Sequence, residues 1–211
     1  MTQIIPAILE KAPDRVIDKV KQIENLGLKA VHLDAMDGNA VRNFCWYDIE
    51  TMKVLLSDHD LDLEVHLMVT KPEEQAWAWL ETKNVFRVIL RSEAIQNKLE
   101  VEHLIRRYGH RIGISSDPQS SLSSILKEYS NLQYLLVMGV QSGYSGQEFK
   151  LPVLTKIQLA KKYSPKIKIG VDGGMNQKTI LMVKKYGVDV INTASYFWEN
   201  NKAKVISEVE S

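Results

Sequence analysis

Short apolar segments alternate with amphipathic segments along the whole chain, and this alternation limits the folds that the chain can adopt. Each apolar segment has the length of a strand and is followed by a turn and a stretch with helical spacing. The predicted strands lie at about 3–8, 29–35, 61–67, 85–90, 110–115, 132–138, 166–171 and 188–193. The predicted helices lie at about 14–26, 99–108, 122–129, 152–163 and 178–186, and a further helix begins at Pro72.

Strands that are mostly apolar without strict alternation are typical of a parallel sheet covered by helices. Eight strand–helix units in a chain of 211 residues predict a closed (β/α)8 barrel, or TIM barrel, as a single domain over residues 1–211. The alternative is an open doubly wound sheet, which would need a glycine-rich dinucleotide-binding turn after the first strand. The segment 6–10, Pro-Ala-Ile-Leu-Glu, contains no such turn, so the barrel is the preferred interpretation.

Three of the predicted strands carry metal-ligand side chains near their carboxyl ends. His32 and Asp34 share one face of the second strand, His66 lies near the end of the third, and Asp172 near the end of the seventh. In a barrel these ends meet at the active face. Any one of these residues alone is more often a polar group satisfied by a neighbour, but the four together predict a site for one divalent metal ion. The ligand set does not distinguish Zn²⁺, Fe²⁺, Mn²⁺ and Co²⁺.

The two carboxylates of this set also suit proton transfer. Asp34 and Asp172 come from opposite sides of the predicted mouth. One carboxylate can therefore remove a proton from one face of a carbon atom while the other returns a proton to the opposite face. A metal ion would stabilise the enediolate formed between the two transfers. We therefore predict Asp34 and Asp172 as the catalytic pair of an inversion at carbon.

Turns rich in small residues follow the last three predicted strands, in the sector where barrel enzymes often hold a phosphate. Backbone N–H groups in such turns can bind an anion, although each turn alone is more often a tight connection. The predicted substrate- and phosphate-binding residues are Gly143, Tyr144, Ser145, Gly146, Gly173, Gly174, Ala194 and Ser195.

Charge and cysteine content restrict the partners and the compartment. The formal net charge of +1 gives no field that attracts nucleic acid or an anionic membrane. No apolar stretch is long enough to span a bilayer, and no basic segment precedes an apolar run at the N-terminus. Cys45 is the single cysteine, so no internal disulfide can form, which suits a reducing compartment. We expect a cytoplasmic protein with a small-molecule partner and without a nucleic-acid or membrane partner.

These motifs, in this order, resemble those of the ribulose-phosphate 3-epimerase family. Segment 32–38 resembles the family's His-x-Asp-x-Met-Asp-Gly, and 137–147 resembles its strand-six motif ending in Gly-Phe-x-Gly-Gln. Segments 66–68 and 171–174 read His-Leu-Met and Val-Asp-Gly-Gly, as in the family, and 6–9 resembles its Pro-Ser-Ile-Leu. The resemblance implies a (β/α)8 barrel, an oligomer of identical chains, and the 3-epimerisation of a ketose phosphate, mainly D-ribulose 5-phosphate to D-xylulose 5-phosphate. It also implies His32, Asp34, His66 and Asp172 as metal ligands, with Asp34 and Asp172 as the acid/base pair.

The rim of the predicted site departs from the family pattern. Ala7 stands where the family usually has a serine, Arg91 where it has an imidazole, and Ser145 where it has a smaller residue. Arg91 either contacts an anionic or hydroxyl group of the substrate or pairs with Glu93 or another carboxylate, and the second role is the more usual for a charge near carboxylates. The predicted mouth-lining residues are Ala7, Met36, Met68, Met138 and Arg91, where uncharged thioethers would surround a negative intermediate.

Three functions follow from these patterns. The preferred one is a metal-dependent 3-epimerase acting on a pentulose phosphate or on a related ketose phosphate such as a hexulose 6-phosphate. The altered rim motivates a second, a catalytically weakened barrel that binds a sugar phosphate. A decarboxylase of the orotidine-phosphate type would need the pattern Asp-x-Lys-x-x-Asp, and segment 34–37 contains no lysine.

Overall fold

Eight parallel strands close into a barrel in the computed structural model, which describes residues 2–210. The parallel strands run in the order β1, β2, β4, β5, β6, β7, β8, β9 around the barrel, and pairing of β9 with β1 closes it. The short strand β3 pairs antiparallel with the end of β2 at the rim. The strands are β1 (Gln3–Ile8), β2 (Ala30–Asp37), β3 (Phe44–Cys45), β4 (Asp62–Met68), β5 (Val85–Arg91), β6 (Ile112–Ser116), β7 (Tyr134–Met138), β8 (Lys168–Asp172) and β9 (Val190–Thr193).

Helices follow the barrel strands and cover the outside of the barrel. Two 3₁₀ turns, Ser92–Ala94 and Gly109–Arg111, flank the fourth helix. The helices are α1 (Pro13–Asn25), α2 (Ile49–Leu55), α3 (Pro72–Leu80), α4 (Lys98–Tyr108), α5 (Leu122–Glu128), α6 (Val153–Tyr163), α7 (Gln177–Lys184), α8 (Ser195–Glu199) and α9 (Lys202–Glu210).

Successive side chains of each strand point alternately towards the helices and into the barrel, which gives two separate packed regions. In β2, Val31, Leu33 and Ala35 belong to the large core between strands and helices, whereas the ligand-type side chains between them point into the barrel. Burial on both faces explains why the strands read as nearly continuous apolar runs.

The lower half of the barrel interior is an apolar cluster. Tyr134 is its largest member and is fully buried, and it packs with Ile89 and Leu136. Gly170 leaves room for this ring, because a Cβ atom there would overlap the Tyr134 hydroxyl. The apolar cluster fills the interior beneath the polar side chains at the carboxyl ends of the strands.

The (β/α)8 barrel predicted from the sequence is confirmed, and all eight predicted strands are present within about two residues of their predicted bounds. Besides the two 3₁₀ turns, one strand and three helices had no predicted bounds, namely β3, α2, α8 and α9. These are short or terminal elements, for which periodicity over a few residues gives little signal. Among residues 2–210, no helix has both the length and the apolar character needed to cross a bilayer.

Candidate metal and acid/base site

The four ligand-type side chains predicted from the sequence converge at the carboxyl end of the barrel. His32 and Asp34 extend from β2, His66 from β4 and Asp172 from β8, and one ligand atom of each lies within 4.8 Å of those of the others. All four residues are buried. The Asp34 Oδ1 atom lies 3.2 Å from His32 Nε2 and 3.3 Å from His66 Nδ1, so this oxygen sits between the two imidazoles.

Hydrogen bonds to the outer nitrogen of each imidazole orient the inner one towards the cluster. His66 Nε2 lies 2.8 Å from the Ser115 hydroxyl oxygen, and its buried Nδ1 makes no hydrogen bond within residues 2–210. His32 Nδ1 lies 2.7 Å from Glu64 Oε1, while its Nε2 faces Asp34. Two inward nitrogens together with carboxylate oxygens form a donor set that suits a divalent metal ion. The residues present therefore fit the metal ion that the sequence predicts.

The two carboxylates have opposite electrostatic environments. Burial raises the pKa of Asp34, but the two neighbouring imidazoles of His32 and His66 outweigh it and lower the pKa to about 2. Burial and the negative charge of Asp34 raise the pKa of Asp172 to about 7. Neighbouring carboxylates whose pKa values are pushed apart are typical of sites that use one group as a base and the other as an acid.

A carboxylate that the sequence reasoning missed lies directly beneath His32. Glu64 is 0% exposed and accepts hydrogen bonds from His32, Arg87 and Asn192. Burial raises the pKa of Glu64, but the hydrogen bond and charge of His32, the charge of Arg87 and the Asn192 hydrogen bond lower it to about 2. One signal was available, because Glu64 precedes His66 by two residues and must share its face of β4.

An open cavity lies above the cluster, with about 450 Å³ of empty space that includes open solvent. It exposes both catalytic candidates, the three mouth methionines and all of the predicted phosphate-binding turns. Its lining includes Asp34, Asp172, Met36, Met68, Met138, Gly143, Tyr144, Ser145, Gly146, Gly173, Gly174, Ala194 and Ser195. The cavity lining also contains residues that were not predicted, among them Leu9, Gln141, Ser142 and Met175.

The turn after β8 requires glycine. Gly173 and Gly174 have φ values of +91° and +70°, a region that other residues rarely adopt. A Cβ atom at Gly174 would also lie 2.8 Å from the Phe149 backbone. The loop after β7 therefore packs closely on this turn, and both loops border the same cavity.

Two predicted mouth-lining residues lie elsewhere. Ala7 is buried and borders a neighbouring cavity of about 370 Å³, where its short side chain leaves room beside Ser195 and Trp198. Arg91 does not line the cavity above the cluster, because its guanidinium pairs with two carboxylates. Its Nη2 atom lies 2.8 Å from Asp117 Oδ2, and its Nε atom lies 3.5 Å from Glu93 Oε2.

The Asp117 carboxylate ties three loops of the mouth together. It is 2% exposed and accepts hydrogen bonds from Arg91 at the end of β5 and from Gln141 and Ser142 after β7. The Gln141 Nε2 atom lies 2.7 Å from Asp117 Oδ2. Farther out, the Tyr144 hydroxyl donates to the Arg42 carbonyl oxygen at 2.7 Å and so joins the β7 loop to the β2 loop.

Comparison with known proteins agrees with this geometry. A family model described as the ribulose-phosphate 3 epimerase family matches residues 3–198. A protein of Chlamydia muridarum (strain MoPn / Nigg) named ribulose-phosphate 3-epimerase is 30% identical over 213 residues, covering 96% of this chain and 92% of the relative. A protein of the same name from Mycobacterium tuberculosis (strain ATCC 25618 / H37Rv) is 31% identical over 208 residues, covering 96% of this chain and 89% of the relative. One from Bacillus subtilis (strain 168) is 27% identical over 215 residues, covering 99% and 98%.

Proposed function

Because this chain belongs to the ribulose-phosphate 3-epimerase family, whose members are isomerases, we propose that it inverts C3 of a ketose phosphate, interconverting D-ribulose 5-phosphate and D-xylulose 5-phosphate. One observation carries the proposal. Two buried carboxylates, Asp34 and Asp172, share a ligand cluster with two imidazoles and border a single cavity. Besides holding a metal ion, two carboxylates at one cavity can serve as the base and the acid of an inversion.

The proposed reaction consists of two proton transfers. Asp34 removes the proton from C3, and the bonding electrons move to form a C2–C3 double bond with negative charge on the C2 oxygen. Asp172 then donates its proton to the opposite face of C3, and the C2 carbonyl forms again. The reverse reaction exchanges the two roles, so each carboxylate must be able both to hold and to release a proton.

His32, Asp34, His66 and Asp172 would hold one divalent metal ion, whose identity among Zn²⁺, Fe²⁺, Mn²⁺ and Co²⁺ the ligand set leaves open. When bound, the ion supplies positive charge next to the oxygen that becomes negative. The side chains of Met36, Met68 and Met138 keep other charged groups and water away from this oxygen, since thioethers are apolar and polarisable.

The substrate phosphate binds at the other side of the same cavity in this proposal. The turns at 143–146 and 173–174 and residues 194–195 border it. Backbone N–H groups in such turns provide hydrogen bonds to an anion. A phosphate held there would position C3 between the two carboxylates.

Deuterium exchange at C3 tests the proposal directly. Wild-type protein loaded with Zn²⁺, Mn²⁺, Fe²⁺ or Co²⁺ in D₂O is expected to introduce deuterium at C3 of D-ribulose 5-phosphate while D-xylulose 5-phosphate appears, as followed by NMR. Asp172→Asn is expected to lower the epimerisation rate by about 10³-fold, since one of the two proton-transfer groups is lost.

Asp189→Asn is the matched control, because it makes the same chemical change near the amino ends of β8 and β9 and should leave activity unchanged. Absence of exchange with every ketose phosphate tested, in protein that holds metal, would contradict the proposal. Calorimetric binding of D-ribulose 5-phosphate without turnover would instead favour the non-catalytic sugar-phosphate-binding barrel.

A longer ketose phosphate is the second candidate substrate. The neighbouring cavity of about 370 Å³ shares Leu9, Ser145, Ala194 and Ser195 with the main cavity, which provides room beyond the phosphate-binding turns. Comparison of kcat/KM for D-ribulose 5-phosphate and a hexulose 6-phosphate decides between the two. A higher value for the hexulose 6-phosphate would reassign the substrate while leaving the chemistry unchanged.

The oligomer of identical chains and the cytoplasmic location remain predictions. Light scattering coupled to size-exclusion chromatography measures the first against the 24.1 kDa chain. Fractionation of the source cells measures the second.

A further inference from the structure

A buried hydrogen-bond network centred on Glu64 lies beneath the candidate metal site. The Glu64 Oε1 atom lies 2.7 Å from His32 Nδ1 and 2.8 Å from Asn192 Nδ2. The Oε2 atom lies 2.6 Å from Arg87 Nη1. The guanidinium carbon of Arg87 lies 3.6 Å from the ring centroid of Tyr134, so the cation also stacks on an aromatic face. Every oxygen of this buried carboxylate therefore has a donor.

Strand register brings these groups to one level of the barrel. His32 pairs with Glu64 across β2 and β4, and Glu64 pairs with Arg87 across β4 and β5. The preceding pair is Leu63 with Val85, so β5 has one extra residue, Phe86, at this point. A bulge of this kind can re-aim a side chain, and here it places Arg87 opposite Glu64 and directs it into the barrel.

An ionised carboxylate can only accept hydrogen bonds, which fixes the hydrogen of its partner. The contact with Glu64 therefore requires His32 to carry a hydrogen on Nδ1. In the neutral ring that would bind a metal ion, the lone pair then lies on Nε2, the nitrogen that faces Asp34.

We propose that Glu64, supported by Arg87 and Asn192, is a positioning residue that fixes the tautomer and ring orientation of His32 for metal binding. This inference rests on the proposed function, because it assigns His32 to the metal site. Replacement of a carboxylate that accepts a hydrogen bond from a ligating histidine typically weakens metal binding by 10- to 100-fold.

The neighbours of Glu64 make a carboxylate necessary at this position. In Glu64→Gln, an amide oxygen facing His32 would leave the amide NH₂ group facing the Arg87 donor. The opposite orientation would present the NH₂ group to His32 Nδ1 and favour the tautomer with hydrogen on Nε2, which cannot bind metal through that atom. Either orientation therefore breaks one of the hydrogen bonds that hold His32 or Arg87.

The affinity for Zn²⁺, measured by competition with a chromophoric chelator, tests this inference. Glu64→Gln is expected to bind Zn²⁺ about 10- to 100-fold more weakly than the wild-type protein. Glu64→Asp, which keeps the carboxylate, is expected to recover part of the affinity. Asp189→Asn is the control for the same chemical change at the other end of the barrel and should bind Zn²⁺ normally.

NMR of the His32 ring in the zinc-loaded protein distinguishes a positioning role from a purely structural one. A Glu64 that only stabilised the fold would leave the His32 ring signals unchanged on substitution. The wild-type protein should show a downfield Nδ1–H proton that exchanges slowly with water. In Glu64→Gln this proton should move upfield and exchange faster.

A second variant covers the case in which Glu64→Gln fails to fold. Glu64→Leu combined with Arg87→Met removes both charges, a replacement that buried ion pairs often tolerate, yet it still deprives His32 of its acceptor. It should also lose Zn²⁺ affinity. Normal Zn²⁺ affinity together with an unchanged His32 spectrum in the folded variants would overturn the role of Glu64 and leave the proposed function intact. Absence of Zn²⁺ binding by the wild-type protein would contradict the proposed function as well.

Discussion

Inside the barrel, the size of each side chain is matched to the side chains on adjacent strands. The ring of Tyr134 occupies the space that glycine leaves at two positions. A Cβ atom at Gly113 would lie 2.7 Å from its Cδ1 atom, and one at Gly170 would overlap its hydroxyl oxygen. This hydroxyl makes no hydrogen bond among the described residues. The phenol therefore fills volume and stacks against Arg87, while its hydroxyl contributes no polar contact.

Gly170→Ala is expected to lower the free energy of unfolding by about 1–3 kcal/mol, because the added methyl group meets a rigid, buried ring. Tyr134→Phe alone should be close to neutral, since it removes a buried hydroxyl that has no partner. The double variant should recover much of the loss caused by Gly170→Ala. Urea unfolding of the four proteins measures these differences, and strictly additive effects would contradict the steric explanation.

At the scale of elements, each end of the barrel is held by one carboxylate that bridges several segments. At the mouth, Asp117 joins the loops after β5, β6 and β7. At the opposite end, Asp189 accepts hydrogen bonds from Lys161 at the end of α6 and from Lys168 at the start of β8. Segments held by several partly buried hydrogen bonds are expected to open less readily than segments without them.

Asp117→Asn is expected to destabilise the protein by about 3 kcal/mol, because the largely buried Arg91 guanidinium loses the nearer of its two carboxylate partners. Arg91→Met in the same background should cost little more, since the pair is already broken. A double-mutant cycle measured by urea unfolding gives the coupling energy. A value near zero would show that the two charges act independently.

The Asp189 interactions predict a pH dependence of stability. Burial raises the pKa of Asp189, but the hydrogen bonds from Lys161, Lys168 and the Ile169 N–H outweigh it and lower the pKa. A lowered native-state pKa means that the stabilisation is complete above the unfolded-state value of about 4 and is lost as the pH falls through the lower native-state value.

Asp189→Asn is therefore expected to cost about 1 kcal/mol at pH 7 and progressively less below about pH 4. Unfolding free energies of both proteins, measured across this range, test the prediction. If the difference in unfolding free energy between the two proteins stays constant from pH 7 to pH 3, the Asp189 carboxylate is not a source of the pH dependence.

At the scale of the whole molecule, the sequence predicted the barrel and the four-ligand cluster because both follow from short-range patterns. Apolar runs mark the strands, and alternation determines that His32 and Asp34 point the same way. The helix α2 was missed because it is short and follows an irregular segment. The contacts of Glu64 were missed for a different reason. Arg87 reaches it only through a one-residue slip in strand register, and Asn192 lies 128 residues away along the chain.

Closure of the barrel between β1 and β9 has a consequence for how the protein is made. Gln3 pairs with Val190, so the first strand has no partner on that side until the last barrel strand has been synthesised. Asp172 is the last of the four ligand-type residues to be synthesised, so a nascent chain holds both imidazoles well before it holds the complete ligand set. The barrel and its four-ligand site can therefore be completed only after β9 and Asp172 have been synthesised, and pairing between strands so distant in sequence is expected to form slowly.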